Sequence, residues 1–255
     1  MGARLGQHFL FDPRILNRIA DAAALTPRDA VLEIGPGKGS LTAVLAARAA
    51  SVTAIEKDPR LAAELATRFA GSNVRLVLGD ALEVSWPPVS VVCGNIPYQI
   101  TSPLLERALT PPRPRAIVFL VQREVALRLA AAPGSKAYGA LSAGVQLVAR
   151  VERLFSVRAG AFRPPPRVES AVVRLTPLAT PVAATAAEEA ATRALIRAAF
   201  QRRRQQLQRS LREAFELPPS TVVGLLVAAG FNPAARADEL SPAQFVTLAR
   251  ALADA

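Results

Sequence analysis

The chain has 255 residues, of which 51% are hydrophobic and 20% charged, a globular composition that excludes a wholly disordered protein. Lysine and arginine number 31 against 20 acidic residues, so the formal charge is +11. This balance favours nucleic acid or an acidic membrane surface as a partner, although GC-rich coding that inflates arginine would give the same excess. A single cysteine, Cys93, and a single histidine, His8, exclude a disulfide framework and a cysteine-rich zinc site within one chain, and we predict no metal site.

Targeting and membrane signals are not indicated. The first residues lack the long apolar stretch of a signal peptide, and no apolar run approaches the roughly 18 residues of a membrane span. We therefore expect a soluble, cytoplasmic, monomeric protein.

Short apolar runs alternate with helix-like stretches over the first two-thirds of the chain. This alternation predicts a parallel sheet with helices on both faces, a Rossmann-like α/β fold. The predicted strands are 31–34, 51–55, 74–78, 90–93 and 116–121, with 145–151 and 171–175 as a closing pair, and the first two predicted crossover helices are 41–50 and 59–69.

The composition changes near residue 176. Residues 176–191 are rich in alanine, threonine and proline, as linkers are, and helical patterns dominate after them. We place an α/β domain at 1–178 and a small all-helical domain at 182–255.

A glycine-rich loop, residues 35–39 (GPGKG), follows the first predicted strand. Its glycines allow a tight turn and a close approach of a ligand to the backbone. The dinucleotide fingerprint fails because residue 40 is serine, and the Walker phosphate loop fails because Lys38 is followed by Gly39. Alone, the loop is as compatible with a simple turn as with a ligand site.

Carboxylates follow the next two predicted strands. Glu56 can accept hydrogen bonds from both hydroxyls of a ribose, and Asp80 can bond an adenine amino group. Either carboxylate alone is equally compatible with a helix cap or a surface group. Because ligands of open parallel sheets bind outside the carboxyl ends of the strands, the loop and both carboxylates together indicate a nucleoside cofactor without a required pyrophosphate, which S-adenosylmethionine fits.

The fourth predicted strand ends in residues 94–98 (GNIPY). The exocyclic amine of adenine is a poor nucleophile because its lone pair is delocalised into the ring. The Asn95 side-chain oxygen and a nearby backbone carbonyl can accept its two N–H bonds and aim the lone pair at a methyl donor, while Tyr98 stacks on the base. No Ser-His-Asp or Cys-His set is needed for this chemistry. The alternative is a strand-ending turn with a packed tyrosine.

Motifs along nearly the whole chain now identify a family. The chain resembles the bacterial small-subunit (16S) ribosomal RNA adenine N6-dimethyltransferase family. The matching segments are 6–10 (GQHFL), 33–37 (EIGPG), 55–58 (IEKD), 79–81 (GDA), 94–98 (GNIPY), 134–139 (GSKAYG), 162–168 (FRPPPRV) and 201–204 (QRRR).

The resemblance implies a seven-stranded S-adenosylmethionine-dependent methyltransferase sheet with a small helical C-terminal domain. It implies dimethylation of two adjacent adenosines in the 3′-terminal hairpin of small-subunit rRNA, as naked RNA or in an assembling subunit, with a role in small-subunit biogenesis. The target adenine would lie between the segment at Asn95 and Tyr98 and, on its other face, Phe162. The implied cofactor contacts are His8, Leu10, Gly35, Gly37, Glu56, Asp80 and Asn95.

Some positions depart from the common family pattern: His8, Ile96, Gln99, Gln205 and Gln208. We interpret His8 as a hydrogen-bonding residue of the cofactor loop. Ile96 also occurs in large-subunit rRNA methyltransferases of the macrolide-resistance type, which are one alternative, whereas segments 135–139 and 164–166 favour the small-subunit branch. The alternative of another class is a non-catalytic ribosome-assembly factor, against which the intact loop and polar residues argue.

The C-terminal domain carries a basic run. Residues 193–212 contain seven arginines and no acidic residue. Apolar residues recur at helical spacing within the run and predict one amphipathic helix. We expect its arginines to bind RNA phosphates, the alternative being a solvated helix face. The arginines proposed to bind RNA are Arg202, Arg203, Arg204 and Arg209.

Overall fold

The structure, a computed structural model, describes residues 7–202 and 205–253. Nine strands lie in this part of the chain. They are β1 (Phe9–Leu10), β2 (Ala30–Ile34), β3 (Ser51–Glu56), β4 (Val74–Leu78), β5 (Val91–Asn95), β6 (Ala116–Gln122), β7 (Ala149–Val157), β8 (Phe162–Arg163) and β9 (Ser170–Pro177).

Ten α-helices lie in the same described ranges, and local signals explain where several of them begin. Asp12 and Asp58 cap the helices that follow them, each with a proline in the first turn. The helices are α1 (Pro13–Ala22), α2 (Ser40–Ala46), α3 (Pro59–Arg68), α4 (Thr101–Ala108), α5 (Arg123–Leu129), α6 (Ala140–Gln146), α7 (Ala186–Phe200), α8 (Leu207–Phe215), α9 (Pro219–Ala228) and α10 (Pro242–Ala253).

Seven strands form one sheet in the order β4-β3-β2-β5-β6-β9-β7, and β1 pairs with β8 in a separate two-stranded sheet. The pairs from β4 through β6 are parallel, and β9 runs antiparallel to β6. The order reverses between β2 and β5, where open α/β sheets bind their ligands. The residues of β6 from Ala116 to Val121 are fully buried, as a central strand covered on both faces requires.

The sequence predicts this sheet closely. The predicted α/β fold class is confirmed, and the strands predicted at 31–34, 51–55, 74–78, 90–93 and 116–121 correspond to β2 to β6. Two predictions are wrong at their ends: the strand predicted at 145–151 begins at Ala149 because 140–146 are helical, and the helix predicted at 41–50 ends at Ala46.

The chain divides into two compact units whose limits differ from the predicted boundary. One unit holds the sheet and comprises residues up to 126 with 150–177, and the other comprises 127–149 with the residues from 178 onward. Residues 127–149 belong to the second unit because their side chains pack there. The Tyr138 ring lies 6.1 Å from the Phe200 ring, and its hydroxyl donates to the Leu240 carbonyl at 3.0 Å.

The single helix predicted over 193–212 is wrong, because α7 ends at Phe200 and α8 begins at Leu207. Where α8 begins, the backbone bonds to a distant segment instead of continuing the hydrogen bonds of α7. The Leu207 N–H donates to the Ala235 carbonyl at 2.8 Å, and Gln206 forms a β-bridge with Arg236.

Among the described residues, no helix combines the length and the apolar character that a membrane crossing requires.

Candidate active site

The carboxyl ends of β2, β3, β4 and β5 border one pocket of about 410 Å³. The pocket lies at the edge of the sheet where the strand order reverses. It brings together seven of the residues that sequence reasoning proposed for cofactor and base, namely His8, Gly35, Gly37, Glu56, Asp80, Asn95 and Tyr98.

The loop after β2 presents bare backbone to the pocket. Gly35 and Gly37 adopt left-handed φ angles of +67° and +58°. A Cβ at Gly37 would lie 2.9 Å from the Phe9 ring, so a side chain there would collide with the aromatic residue across the pocket. Both position and conformation therefore favour glycine.

Glu56 ties this loop to the end of β3. One carboxylate oxygen accepts a hydrogen bond from the Gly37 N–H at 3.0 Å, and the other accepts one from the Asp58 N–H at 2.9 Å. Each carboxylate oxygen can accept a second hydrogen bond, so a ligand with two hydroxyls can still bind. Glu56 is thus both a buried loop anchor and a lining residue of the pocket.

Asp80 forms an ion pair that the sequence analysis missed. The Lys57 ammonium lies 2.7 Å from one carboxylate oxygen, and the Leu82 N–H donates to the other at 2.9 Å. The hydrogen bond from Lys57 is the main reason that the pKa of Asp80 is lowered. Asp80 is therefore a fixed, ionised acceptor at neutral pH, and Lys57 joins it in lining the pocket.

The amide of Asn95 has a defined orientation. Its Nδ2 donates to the backbone carbonyl of His8 at 2.8 Å, which leaves Oδ1 as the acceptor. Gly94, just before it, lies against β2: a Cβ there would be 2.6 Å from the Ile34 carbonyl oxygen. The close approach of β2 and β5 thus places Asn95 beside the glycine loop.

Tyr98 and His8 form a stacked pair at the pocket. Their ring centroids are 6.3 Å apart with an interplanar angle of 28°. The Tyr98 hydroxyl lies 2.9 Å from the Ser170 hydroxyl, and the His8 Nδ1 donates to the Pro164 carbonyl at 2.8 Å. The imidazole hydrogen bond that we predicted within the cofactor loop is thus made to the segment after β8.

Two predicted site residues face away from the pocket. Leu10 and Phe162 are partners across the β1–β8 pair, 6% and 2% exposed, and their side chains pack in the hydrophobic core with Leu16 and Ile19. The stacking role predicted for Phe162 requires an exposed ring and is not supported by this position. Because successive residues of a strand face opposite sides, Phe9 points into the pocket instead.

One missed residue carries a sequence signal, since Lys57 directly follows the strand-end carboxylate Glu56. Phe9 carries none, because β1 is only two residues long and too short to show alternation. Apolar residues at the ends of strands line the pocket as well. The sequence does not distinguish them from core residues, because they continue the buried apolar runs of the strands. The pocket residues that sequence reasoning did not propose include Gln7, Phe9, Ile34, Ile55, Lys57, Pro97 and Ile100.

The basic run is partly neutralised. Arg202 and Arg209 each lie 3.1 Å from a carboxylate oxygen of Glu213, one residue beyond the run that contains no acidic residue. Arg203 and Arg204, which we also predicted to bind RNA, lie outside the described residues.

Comparisons with known proteins give one consistent family. The family model of ribosomal RNA adenine dimethylase matches residues 2–254. The ribosomal RNA small subunit methyltransferase A of Gloeobacter violaceus is 44% identical over 98% of this chain and 93% of its own length. The dimethyladenosine transferase of Saccharomyces cerevisiae is 46% identical over a region that covers 67% of this chain and 55% of that protein.

Solved structures agree with the sequence relatives. A dimethyladenosine transferase from Plasmodium falciparum superposes with a TM-score of 0.83 at 29% identity, covering 94% of this chain and 96% of that one. The 23S rRNA methyltransferase ErmE superposes with a TM-score of 0.74 at 32% identity, covering 96% and 99%. On the match over nearly its full length, the chain belongs to the ribosomal RNA adenine dimethylase family.

Proposed function

We propose that this protein dimethylates two adjacent adenosines at N6 in the 3′-terminal hairpin of small-subunit rRNA and so takes part in small-subunit biogenesis. The observation that carries the proposal is the 44% identity to a ribosomal RNA small subunit methyltransferase A over 98% of the chain. Segments 135–139 and 164–166 of the sequence also favour the small-subunit branch. The substrate would be naked RNA or an assembling subunit, in the cytoplasm, with the enzyme acting as a monomer.

The methyl donor of this family is S-adenosylmethionine, and the pocket residues fit it. Gly35 and Gly37 line the pocket with backbone that carries no side chain, so a ligand can approach that backbone closely. Glu56 retains acceptor capacity for ribose hydroxyls, and ionised Asp80 accepts from an adenine amino group. When bound, the cofactor supplies an electrophilic methyl group on a sulfonium centre. No strong general base is then required.

Asn95 would orient the target amine. Since Nδ2 is engaged by the His8 carbonyl, Oδ1 is available to accept an N–H bond of the adenine, and a neighbouring backbone carbonyl would accept the other. Both bonds favour a pyramidal nitrogen whose lone pair points away from the ring. Such orientation is strongest in the transition state, where the nitrogen becomes positively charged.

The stacked pair of Tyr98 and His8 would hold the base. A target adenine splayed out of its helix can stack on the Tyr98 ring, whose position is set by Ser170. The Nδ1 of His8 is occupied by the Pro164 carbonyl, which favours a positioning role over proton transfer. The proton released from the amine would pass to water.

The second unit would supply phosphate contacts. Arg202 and Arg209 are exposed, and exchanging their shared carboxylate for phosphates costs little because surface ion pairs contribute only about 0–1 kcal/mol. Arg203 and Arg204 continue the same basic run in the sequence. We propose all four as RNA-binding residues.

A second candidate is methylation of large-subunit rRNA, which the superposition on ErmE favours. The test incubates the protein with labelled S-adenosylmethionine and unmodified small or large ribosomal subunits, followed by identification of the labelled nucleoside. We expect N6,N6-dimethyladenosine in small-subunit rRNA. Label confined to the large subunit would establish the second candidate, and no label in either would indicate an assembly factor without catalysis.

A further inference from the structure

The outward face of the β1–β8 pair carries an exposed aromatic residue outside the pocket. Phe9 and Phe11 lie on either side of the buried Leu10 in the sequence, and Phe11 is the residue directly after β1. Phe11 extends this arrangement because its N–H donates to the Ala161 carbonyl at 3.1 Å. Phe9 lines the pocket, whereas the Phe11 ring lies beyond it and is 41% exposed.

A guanidinium group accompanies this ring. Arg163 is the cross-strand partner of Phe9, and its guanidinium carbon lies 4.6 Å from the centre of the Phe11 ring. Among residues 7–202 and 205–253, no carboxylate lies within ion-pairing distance of Arg163. The surface thus presents an aromatic face and a positive charge that no acidic side chain neutralises.

An exposed aromatic ring beside an arginine is the combination that binds single-stranded nucleic acid. Bases stack on the ring, and the cation attracts the phosphate backbone. An acidic peptide would use the charge but not the flat ring, and the overall charge of +11 favours the RNA partner.

The position along the chain specifies which nucleotide would bind. Phe11 is three residues from His8, or about 10 Å along an extended strand at roughly 3.3 Å per residue. His8 is at the pocket, stacked with Tyr98. A ring at this distance is within reach of a near neighbour of the base held in the pocket.

We infer that Phe11 and Arg163 form a subsite for an unpaired nucleotide flanking the target adenosine, with its base on the Phe11 ring and its phosphate at Arg163. This inference rests on the proposed function, because it extends the binding of the same RNA. It also gives a role to a large apolar ring that is 41% exposed while the neighbouring Leu10 is buried.

The test measures binding rather than methylation. Fluorescence anisotropy gives the Kd of a labelled single-stranded oligoribonucleotide containing two adjacent adenosines, over a series of salt concentrations. We expect Phe11→Ala to weaken binding about 5- to 100-fold and Phe11→Trp to retain it. Arg163→Gln should weaken binding and reduce the log–log salt slope by about 0.7, the value for one lost phosphate contact.

Matched controls separate this subsite from general surface effects. Leu154→Ala removes an apolar side chain of similar exposure, 39%, and Arg18→Gln removes an arginine that likewise lies over a phenylalanine ring, that of Phe155. Both should bind as the wild type does, and thermal unfolding checks that every variant is folded.

Two results would overturn the inference: no binding of the oligoribonucleotide by the wild type, or a Phe11→Ala variant that binds as tightly as Leu154→Ala. Failure of the proposed function appears elsewhere, as absence of methylation of small subunits by the wild type. The binding and methylation experiments therefore distinguish failure of the inference from failure of the proposed function.

Discussion

At the scale of single residues, the side chain of Asn95 is held by a contact that the neighbouring sequence does not predict. Its amide nitrogen donates to the carbonyl of His8, 87 residues earlier in the chain. The strand places the residue, and this bond fixes which amide atom remains available to a base. The oxygen is therefore presented without a reorientation cost when substrate binds.

We expect Asn95→Ala to lower single-turnover methylation by about 10²–10³-fold, by analogy with the loss of an oxyanion-hole donor. Binding of RNA should change little, because the proposed bonds are strongest in the transition state. Rapid-quench measurements with labelled cofactor test this, with Asn17→Ala, an exposed asparagine of α1, as the control. Methylation at the wild-type rate would contradict the proposed role.

Glu33 is a second residue whose behaviour depends on its surroundings. It is 1% exposed, in β2 just before the glycine loop. Burial raises the pKa of its carboxyl from 4.5 to about 7, and the negative charge of Glu56 adds to the rise. The folded protein therefore holds the proton to higher pH than the unfolded chain does.

A raised folded-state pKa makes the unfolding free energy fall as pH rises from 4.5 towards 7. At about 1.4 kcal/mol per pKa unit the loss is on the order of 3 kcal/mol, complete above pH 7. Glu33→Gln should remove this part of the pH dependence, as measured by urea unfolding at pH 4.5 and 8. The exposed control Glu124→Gln should keep the pH dependence of the wild type. The prediction is refuted if Glu33→Gln loses as much unfolding free energy between pH 4.5 and 8 as the wild type does.

At the scale of elements, the approach of β2 to β5 builds the pocket. Ile34 and Gly94 are register partners in this parallel pair. A Cβ on Gly94 would lie 2.6 Å from the Ile34 carbonyl oxygen and 2.8 Å from the Ile96 side chain. The backbone oxygen cannot yield without moving a strand, so a methyl group here forces the strands apart.

Gly94→Ala should therefore lower the unfolding free energy by about 1–3 kcal/mol, as overpacking in a close-packed interior does. Urea denaturation of the two proteins gives this difference directly. Gly160→Ala is the matched control, since a Cβ there meets no atom within 4 Å. Equal midpoints for Gly94→Ala and Gly160→Ala would show that the strands can separate without cost.

At the scale of the whole molecule, the net charge is +11, yet two of the arginines that we propose to bind RNA are paired with an acidic residue. Arg202 and Arg209 share the carboxylate of Glu213, which competes with any phosphate for both guanidinium groups. The three side chains are exposed, so this competition is weak and sensitive to salt.

We expect Glu213→Gln to tighten RNA binding a few-fold at low salt, because the competing carboxylate is removed. Replacing both Arg202 and Arg209 with alanine should weaken binding and reduce the log–log salt slope by roughly 1.4, for two contacts at 0.7 each. Salt-dependent anisotropy with rRNA fragments measures both. The control is Glu239→Gln, the same charge change at another exposed residue, and an equal effect from it would assign the change to net charge alone.

Much of the candidate site followed from sequence because its residues occupy the carboxyl ends of parallel strands. Glu56 and Asn95 end buried apolar strands, Asp80 follows the partly exposed β4, and such strand ends meet at one edge of the sheet. The directions of Leu10 and Phe162 did not follow, because β1 and β8 are two residues long and too short to show alternation. The resemblance to the family singled out Leu10 and Phe162, but the direction of their side chains is set by packing against the hydrophobic core.

The sequence by itself determined the sheet, the pocket and the family, since continuous apolar runs, glycine turns and strand-end polar residues are local properties of the chain. Only the tertiary structure decided where α7 ends and α8 begins, and the exposure of Phe11 beside Arg163. Each of these depends on a contact between segments that the chain brings together from a distance. Periodicity within one segment carries no information about such partners.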